Sequence, residues 1–209
     1  MRKMPISFPV IIQTLMISGG PNKNIYFPKV FLMHNRALQR EINQSIVMKT
    51  QQLIDKQMKD SPSTLEEMIG SFEIKNNQRD VLSFTFSNYA YHQQAAHGMT
   101  YINSLTYDLQ KEKSVKLKDL FKLDSNYVNR ISTLIQNQIQ QREIPLLEDF
   151  TKIKPDQDFY IADRSLVIYF QLYELTPYVF GFPMFPISVY DIQDIIDEEG
   201  PLGRMAENN

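Results

Sequence analysis

Three histidines, at positions 34, 92 and 97, are the only imidazoles in this chain, and cysteine is absent. Without thiols there is no disulfide, no thiolate zinc site and no cysteine nucleophile. His92 and His97 stand five residues apart, a spacing that shares neither a helix face nor a strand face, where i, i+2 and i+4 align. No carboxylate adjoins them, so no metal site is expected and no cofactor is called for. The sequence holds no G-x-S-x-G, no H-E-x-x-H and no P-loop. Its densest acids, Asp194, Asp197, Glu198 and Glu199, read as a solvated helix face and tail. A pair of glycosidase carboxylates comes from distant elements, so spacing alone does not select one.

Two places remain where residue type and neighbours could do something. In Ala95-Ala96-His97-Gly98, small residues flank one histidine between two strands. Either His97 contacts a ligand at the rim of a sheet, or it bonds backbone to hold a tight connection. In Tyr173-Glu174-Leu175-Thr176-Pro177-Tyr178, one acid sits among apolar and aromatic neighbours. A carboxyl in such a setting needs a hydrogen-bond partner or titrates above its usual range. Glu174 is then a structural acid bonded to His97 or to backbone N–H groups, or else a catalytic acid paired with His97. The second reading, a glycan or peptide hydrolase, requires the two side chains to converge in an open pocket. Tyr169, Tyr173, Tyr178 and Tyr190 crowd the same region, as core or as a binding rim. His97, Tyr173, Glu174 and Tyr178 are therefore the candidate ligand-contacting residues, and no residue is assigned a catalytic role.

The elements that must position them follow from periodicity. Residues 6–18 read as a strand, followed by the turn cluster Gly19–Asn24 and a short extended piece, 25–33, interrupted by Pro28. Asn35 caps a helix whose Leu38, Ile42, Ile46, Leu53 and Ile54 recur at helical spacing to about Lys59, where Ser61-Pro62-Ser63 breaks it. Residues 81–91 and 99–109 alternate as strands, and Val115–Leu117 resumes the extended run. Leu82, Phe84 and Phe86 should face the core, and Ser83 and Thr85 water. A second helix, capped by Asp124 or Ser125, carries Tyr127, Ile131, Leu134, Ile135 and Gln138 on one face. Strands follow at 158–162, 166–175 and 186–190, then a short helix at 191–198. The expected fold is α+β, an antiparallel β-sheet packed against two long amphipathic helices.

Composition narrows the partners. The net charge is -2 and the pI about 5.9, so there is no basic excess to neutralise phosphates, and nucleic-acid binding is not expected. Met1-Arg2-Lys3 resembles the start of an export signal, and 10–17 is apolar. Pro5, Pro9, Gln13 and Thr14 interrupt that run, and no small-x-small cleavage site follows. The apolar length is short of the ~20 residues that a spanning helix needs, so no transmembrane segment is expected. Compartment and oligomeric state are not fixed by the sequence.

Several stretches resemble the RsiV-like domain family. Ala95-Ala96-His97-Gly98, Tyr107-Asp108-Leu109 and Leu117-x-Asp119-Leu120-Phe121 are similar to its "GAHG … fDl … L-x-DLF" pattern. Phe159-Tyr160-Ile161, Leu166–Phe170, Tyr173-Glu174, Pro177-Tyr178 and Gly181 resemble its "FYI … LVIYF-x-x-YE-x-x-PY-x-x-G" signature. Tyr26-Phe27-Pro28, Asn35 and Ile42-Asn43 resemble its strand–helix entry. The family's module lies in the extracytoplasmic part of a lysozyme-binding anti-sigma factor and ahead of the catalytic domain of PdaC-type peptidoglycan deacetylases. The resemblance implies one non-catalytic α+β binding domain over 1–198, with halves 1–80 and 81–198 and a flexible tail at 199–209. It implies a protein ligand, of the lysozyme kind, or a cell-envelope glycan. A structural protein of an envelope or spore layer is the remaining reading. The chain departs from the family pattern in having Ala95 where the family has glycine. It also lacks the anti-sigma factor's membrane anchor and sigma-binding segment, so that role does not transfer.

Overall fold

A computed structural model describes residues 10–31, 34–60 and 65–207. The basic start, Pro5, Pro9 and the Ser61-Pro62-Ser63 breaker lie outside the described residues, as do positions 32 and 33. Among the described residues the fold is mixed, with a six-stranded sheet, a three-stranded sheet and three α-helices.

The large sheet runs in the order β1-β2-β3-β4-β5-β6: Ile11–Ser18, Lys23–Phe31, Leu65–Gln78, Val81–His92, Met99–Asp108 and Lys113–Ser114. Four of its five pairings are antiparallel. The exception is β2 with β3, which run parallel over Lys23–Ile25 because helix α1, Arg36–Asp60, carries the chain back between them. The wholly antiparallel expectation is corrected there. Asn35 caps α1 as expected, its Oδ1 accepting the Leu38 N–H at 2.9 Å. β2 is continuous through Pro28. The Val30 N–H and C=O point away from β1, to the Asn43 side chain at 2.8 and 2.9 Å. Pro28, two residues earlier, turns its nitrogen to that same side, where β3 has already diverged, so no ladder bond is lost.

The small sheet is β7-β8-β9: Phe159–Ala162, Ser165–Tyr169 and Met184–Ser188, all antiparallel. β8 ends at Tyr169 rather than 175, and a turn-rich segment leads from it to β9. Helix α2, Tyr127–Gln141, follows Asn126 as N-cap rather than Asp124 or Ser125.

The two helices, of 25 and 15 residues, lie over different sheets. Leu38, Ile42, Ile46 and Leu53 of α1 pack with Leu82, Phe84, Phe86, Leu105 and Tyr107. Ile131, Ile135 and Ile139 of α2 pack with Ile161, Leu166, Ile168, Phe185 and Ile187 on the outer face of the small sheet. The inner face of that sheet, with Tyr160, Val167 and Tyr169, turns toward β4 and β5. Ser83 and Thr85 are thereby buried, against the expectation that they face water. Their polarity is absorbed between the sheets: Ser83 bonds Thr106 at 2.9 Å and accepts the Ile161 N–H at 3.1 Å. Tyr169 donates to Ser104 at 3.1 Å. The free polar face that the alternation implied is the seam between two layers.

The C-terminus also differs from expectation. Residues 191–198 are not a helix: a 3-10 turn, Val189–Ile192, leads to a bridge between Ile196 and Phe121. The segment beyond Glu199 is folded, with α3, Pro201–Ala206, burying Leu202 and Met205. Arg204 anchors it to the fully buried Asp108 at 2.7 Å. Asp108 also accepts the Gln110 and Lys111 N–H groups, so one carboxylate holds both a turn and the last helix.

Candidate functional site

The connection between β4 and β5 carries His97, and the segment between β8 and β9 carries Tyr173, Glu174 and Tyr178. The two loops meet. The His97 ring stacks on Tyr178 with centroids 4.2 Å apart, and Tyr173 stands 6.4 Å from His97 and 5.6 Å from Tyr178. The Gly98 carbonyl is the anchor. It accepts from His97 Nδ1 at 2.9 Å and from the Tyr178 hydroxyl at 2.9 Å. A carbonyl can only accept, so Nδ1 carries the proton and Nε2 is left to accept from the Tyr173 hydroxyl, at 3.1 Å. Gly98 is required for close packing: a Cβ there would meet the Tyr89 ring at 2.2 Å. Ala95 stands without strain where the RsiV-like pattern has glycine, because the left-handed backbone of this connection falls on Gln94, φ 66°.

Tyr173 has its own constraint. The Glu174 N–H donates to the Gln171 carbonyl at 3.1 Å, closing a four-residue turn. Tyr173 is the third residue of that turn, with φ 64°, in the region that glycine ordinarily fills. The residue is nevertheless 47% exposed. A bulky residue held in a left-handed conformation and turned toward solvent marks a place for functional scrutiny.

Glu174 is directed elsewhere. Its carboxylate accepts the Gln171 N–H at 2.9 Å and pairs with Lys154 at 2.7 Å. That hydrogen bond and charge raise the Lys154 ammonium above its ordinary value. Of the partners anticipated for Glu174, backbone N–H is the one observed, and His97 is not among them. Both His97 nitrogens have other partners as well. The structure therefore brings His97, Tyr173 and Tyr178 together and commits the Glu174 carboxylate to Lys154 and the Gln171 N–H instead.

Tyr173 and Glu174 also line a cleft of about 410 Å³, with Phe150, Phe170, Lys152 and Lys154. It combines aromatic surface with charged groups of both signs. Two residues that no motif flagged shape its surroundings. The Gln171 side chain bonds both the N–H and the C=O of Ile102, at 3.1 and 2.8 Å, completing the open edge of β5 as a strand would. Gln171 also donates to Asp158 at 3.0 Å, and burial pushes that carboxyl above its usual range. A glutamine and an aspartate without periodicity or partner spacing give no signal in a single sequence. Among the described residues, no group of three or more His, Cys, Asp or Glu side chains is placed to hold a metal ion. No helix among them is long and apolar enough to cross a membrane.

Comparison with known proteins bears on the same region. Residues 118–190 match the domain described as "Protein of unknown function (DUF3298)". That is the stretch holding Asp119-Leu120-Phe121 and the signature from Leu166 to Gly181, and the match is to this domain rather than to one designated RsiV-like. Peptidoglycan-N-acetylmuramic acid deacetylase PdaC of Bacillus subtilis (strain 168) is 23% identical over 140 residues, which is 64% of this chain and 30% of that protein. The chain thus spans less than a third of that relative. A crystal structure of a DUF3298 family member from Bacteroides fragilis superposes with a TM-score of 0.70 at 14% identity, covering 98% of this chain and all of that one. A DUF3298 family protein from Pseudomonas aeruginosa PAO1 does so with 0.65 at 12%, covering 99% of each chain. At these identities the two structures show the shared fold.

Proposed function

We propose that this chain is a non-catalytic binding module that recognises a cell-envelope glycan of the peptidoglycan type at the Tyr173 corner. The observation that carries the reading is Tyr173 itself, half exposed at the edge of the cleft and held there by His97 in a backbone conformation that tyrosine rarely adopts. An aromatic ring offers a flat apolar face to the C–H face of a sugar, and Lys154 and Glu174 supply a donor and an acceptor for its hydroxyl and amide groups. The partial likeness to a peptidoglycan deacetylase supports the class of ligand. Against hydrolysis, the two protonatable groups that would form an acid–base pair are each bonded to other partners and do not face one another.

The test is calorimetric and NMR titration of the whole chain with purified muropeptides. Saturable shifts at Tyr173, Lys154 and Glu174, with the muropeptide recovered intact, are expected. No response leaves only the fold. Shortened sugar chains in the recovered material would reinstate the hydrolase. A lysozyme titrated in parallel separates the classes of ligand: binding of that protein with no glycan response would put a protein in the glycan's place.

A further inference from the structure

A second cavity, of about 220 Å³, opens between α1, the β5–β6 edge and the start of β7. It shares no lining residue with the Tyr173 cleft. Lys49, from α1, lines it with Ser104 of β5, and Lys116 adds a second, exposed positive charge at the rim. Leu105, Val115 and Phe159, all buried, supply apolar lining together with Met48, and Ser45, Thr106 and Ser114 complete it with hydroxyls.

The lysine is incompletely partnered. Its ammonium donates to the neutral Asn103 Oδ1 at 2.9 Å, and among the described residues it makes no ion pair. An ammonium has three donors, so two remain for other acceptors. Partial burial pulls Lys49 below its ordinary value, although the field of Asp158 opposes this. A partly desolvated cation whose nearest opposite charge, Asp158, acts on it only through space and makes no contact ion pair still favours an anion that can reach its free donors. Ser104 Oγ accepts from the Tyr169 hydroxyl, which leaves its own proton free to donate.

We propose that this cavity is a binding site for a small organic carboxylate, its oxygens on Lys49 Nζ and Ser104 Oγ and its short apolar body against Leu105, Val115 and Phe159. The volume is about seven times the ~30 Å³ share of one liquid water, which suits an acid of a few carbons. The apolar part of the lining selects the class of anion. Inorganic phosphate would set hydrated oxygens against buried hydrocarbon, whereas a carboxylate places charge at one end and methylenes at the other. The site is independent of the glycan reading, because it uses other side chains.

The test is titration of the 15N-labelled chain with sodium propionate, propionamide and inorganic phosphate at constant ionic strength. Propionate is expected to shift the Leu105, Thr106 and Val115 amides saturably. Propionamide, equal in shape but uncharged, should not, and phosphate should bind at least about tenfold more weakly. Lys49→Met is expected to lower propionate affinity about tenfold or more while the melting temperature holds. If that variant fails to fold, Ser104→Ala serves, with a weakening of about threefold or more expected. The absence of saturable shifts, an equal response to phosphate or propionamide, or unchanged affinity in the folded variant would overturn the proposal.

Discussion

The turn at Tyr173 makes an unusual demand on a substitution series. Ordinarily glycine is the more damaging replacement, because it leaves the unfolded chain freer, by about 0.4–1 kcal/mol relative to alanine. At φ 64° the order should reverse. Any residue with a Cβ pays about 1–2 kcal/mol to sit in the left-handed region, and glycine does not. Both Tyr173→Ala and Tyr173→Gly remove the ring. Each forfeits an exposed hydrogen bond to His97, about 0.5–1 kcal/mol, and roughly half the burial of a tyrosine, about 2–3 kcal/mol at 25 cal/mol per Å². The alanine variant keeps the backbone strain and the glycine variant sheds it. Tyr173→Gly is therefore expected to be the more stable of the two by about 1 kcal/mol, or ~2–4 °C in melting temperature for a chain of this size. Parallel thermal unfolding of the three proteins measures this. Since both variants lack the ring, both should lose muropeptide binding equally. An alanine variant as stable as the glycine variant would refute the strained turn, and a glycine variant that still binds would refute the ring as the platform.

Three further outcomes follow from the packing. Gly98→Ala puts a Cβ at 2.2 Å from the Tyr89 ring and should lower stability by about 1–3 kcal/mol, read from the denaturant midpoint. Arg204→Met leaves Asp108 buried without its cation, and a loss of about 3–5 kcal/mol is expected; a loss under 1 would show that α3 is not anchored there. Asp158 has a folded-state pKa raised by burial above the ordinary 3.8, so its contribution to stability is full below that value and is lost as pH rises through the folded value. Asp158→Asn should flatten this part of the pH–stability curve and cost nothing at neutral pH, which urea unfolding across an acid-to-neutral series checks.

The parts of this fold that were legible in the sequence were those with one dry face. α1 and its Asn35 cap, α2 and the strands β4 and β5 all appear where apolar periodicity placed them. β3 carries no such dry stripe: of its fourteen residues only Met68, Gly70 and Asn76 are buried. Its turn gave no cue either, since Arg79 and Asp80 both take positive φ where Asn-Gly is the usual signal. The polar alternation of Ser83 and Thr85 suits solvent exposure, but hydroxyls can equally fill an interface, as Ser83 does with Thr106 and the Ile161 N–H. At the site, His97, Tyr173 and Tyr178 were legible as rare or aromatic residues beside turns. The direction of Glu174 was not, because it depends on Lys154, twenty residues away in sequence, and on a backbone turn whose closure spacing does not reveal.

Two side-chain amides explain why the site and the fold are inseparable. A sheet that grows by crossover leaves strand edges open, and an open edge must be paired, covered or blunted. Asn43 does this for Val30 of β2, and Gln171 for Ile102 of β5, each with one donor and one acceptor in the manner of a neighbouring strand. Asn43 joins a helix to its own sheet. Gln171 joins the small sheet to the large one, and it is also the first residue of the turn that presents Tyr173. Its N–H holds Glu174, and its amide holds Asp158. The rim of the cleft is thus registered against β5 to within one hydrogen-bonded pair. His97, which reaches Tyr173 from the loop entering β5, is positioned by that same strand. The two loops that meet at Tyr173, from two different sheets, take their register from the strand edge on which both depend.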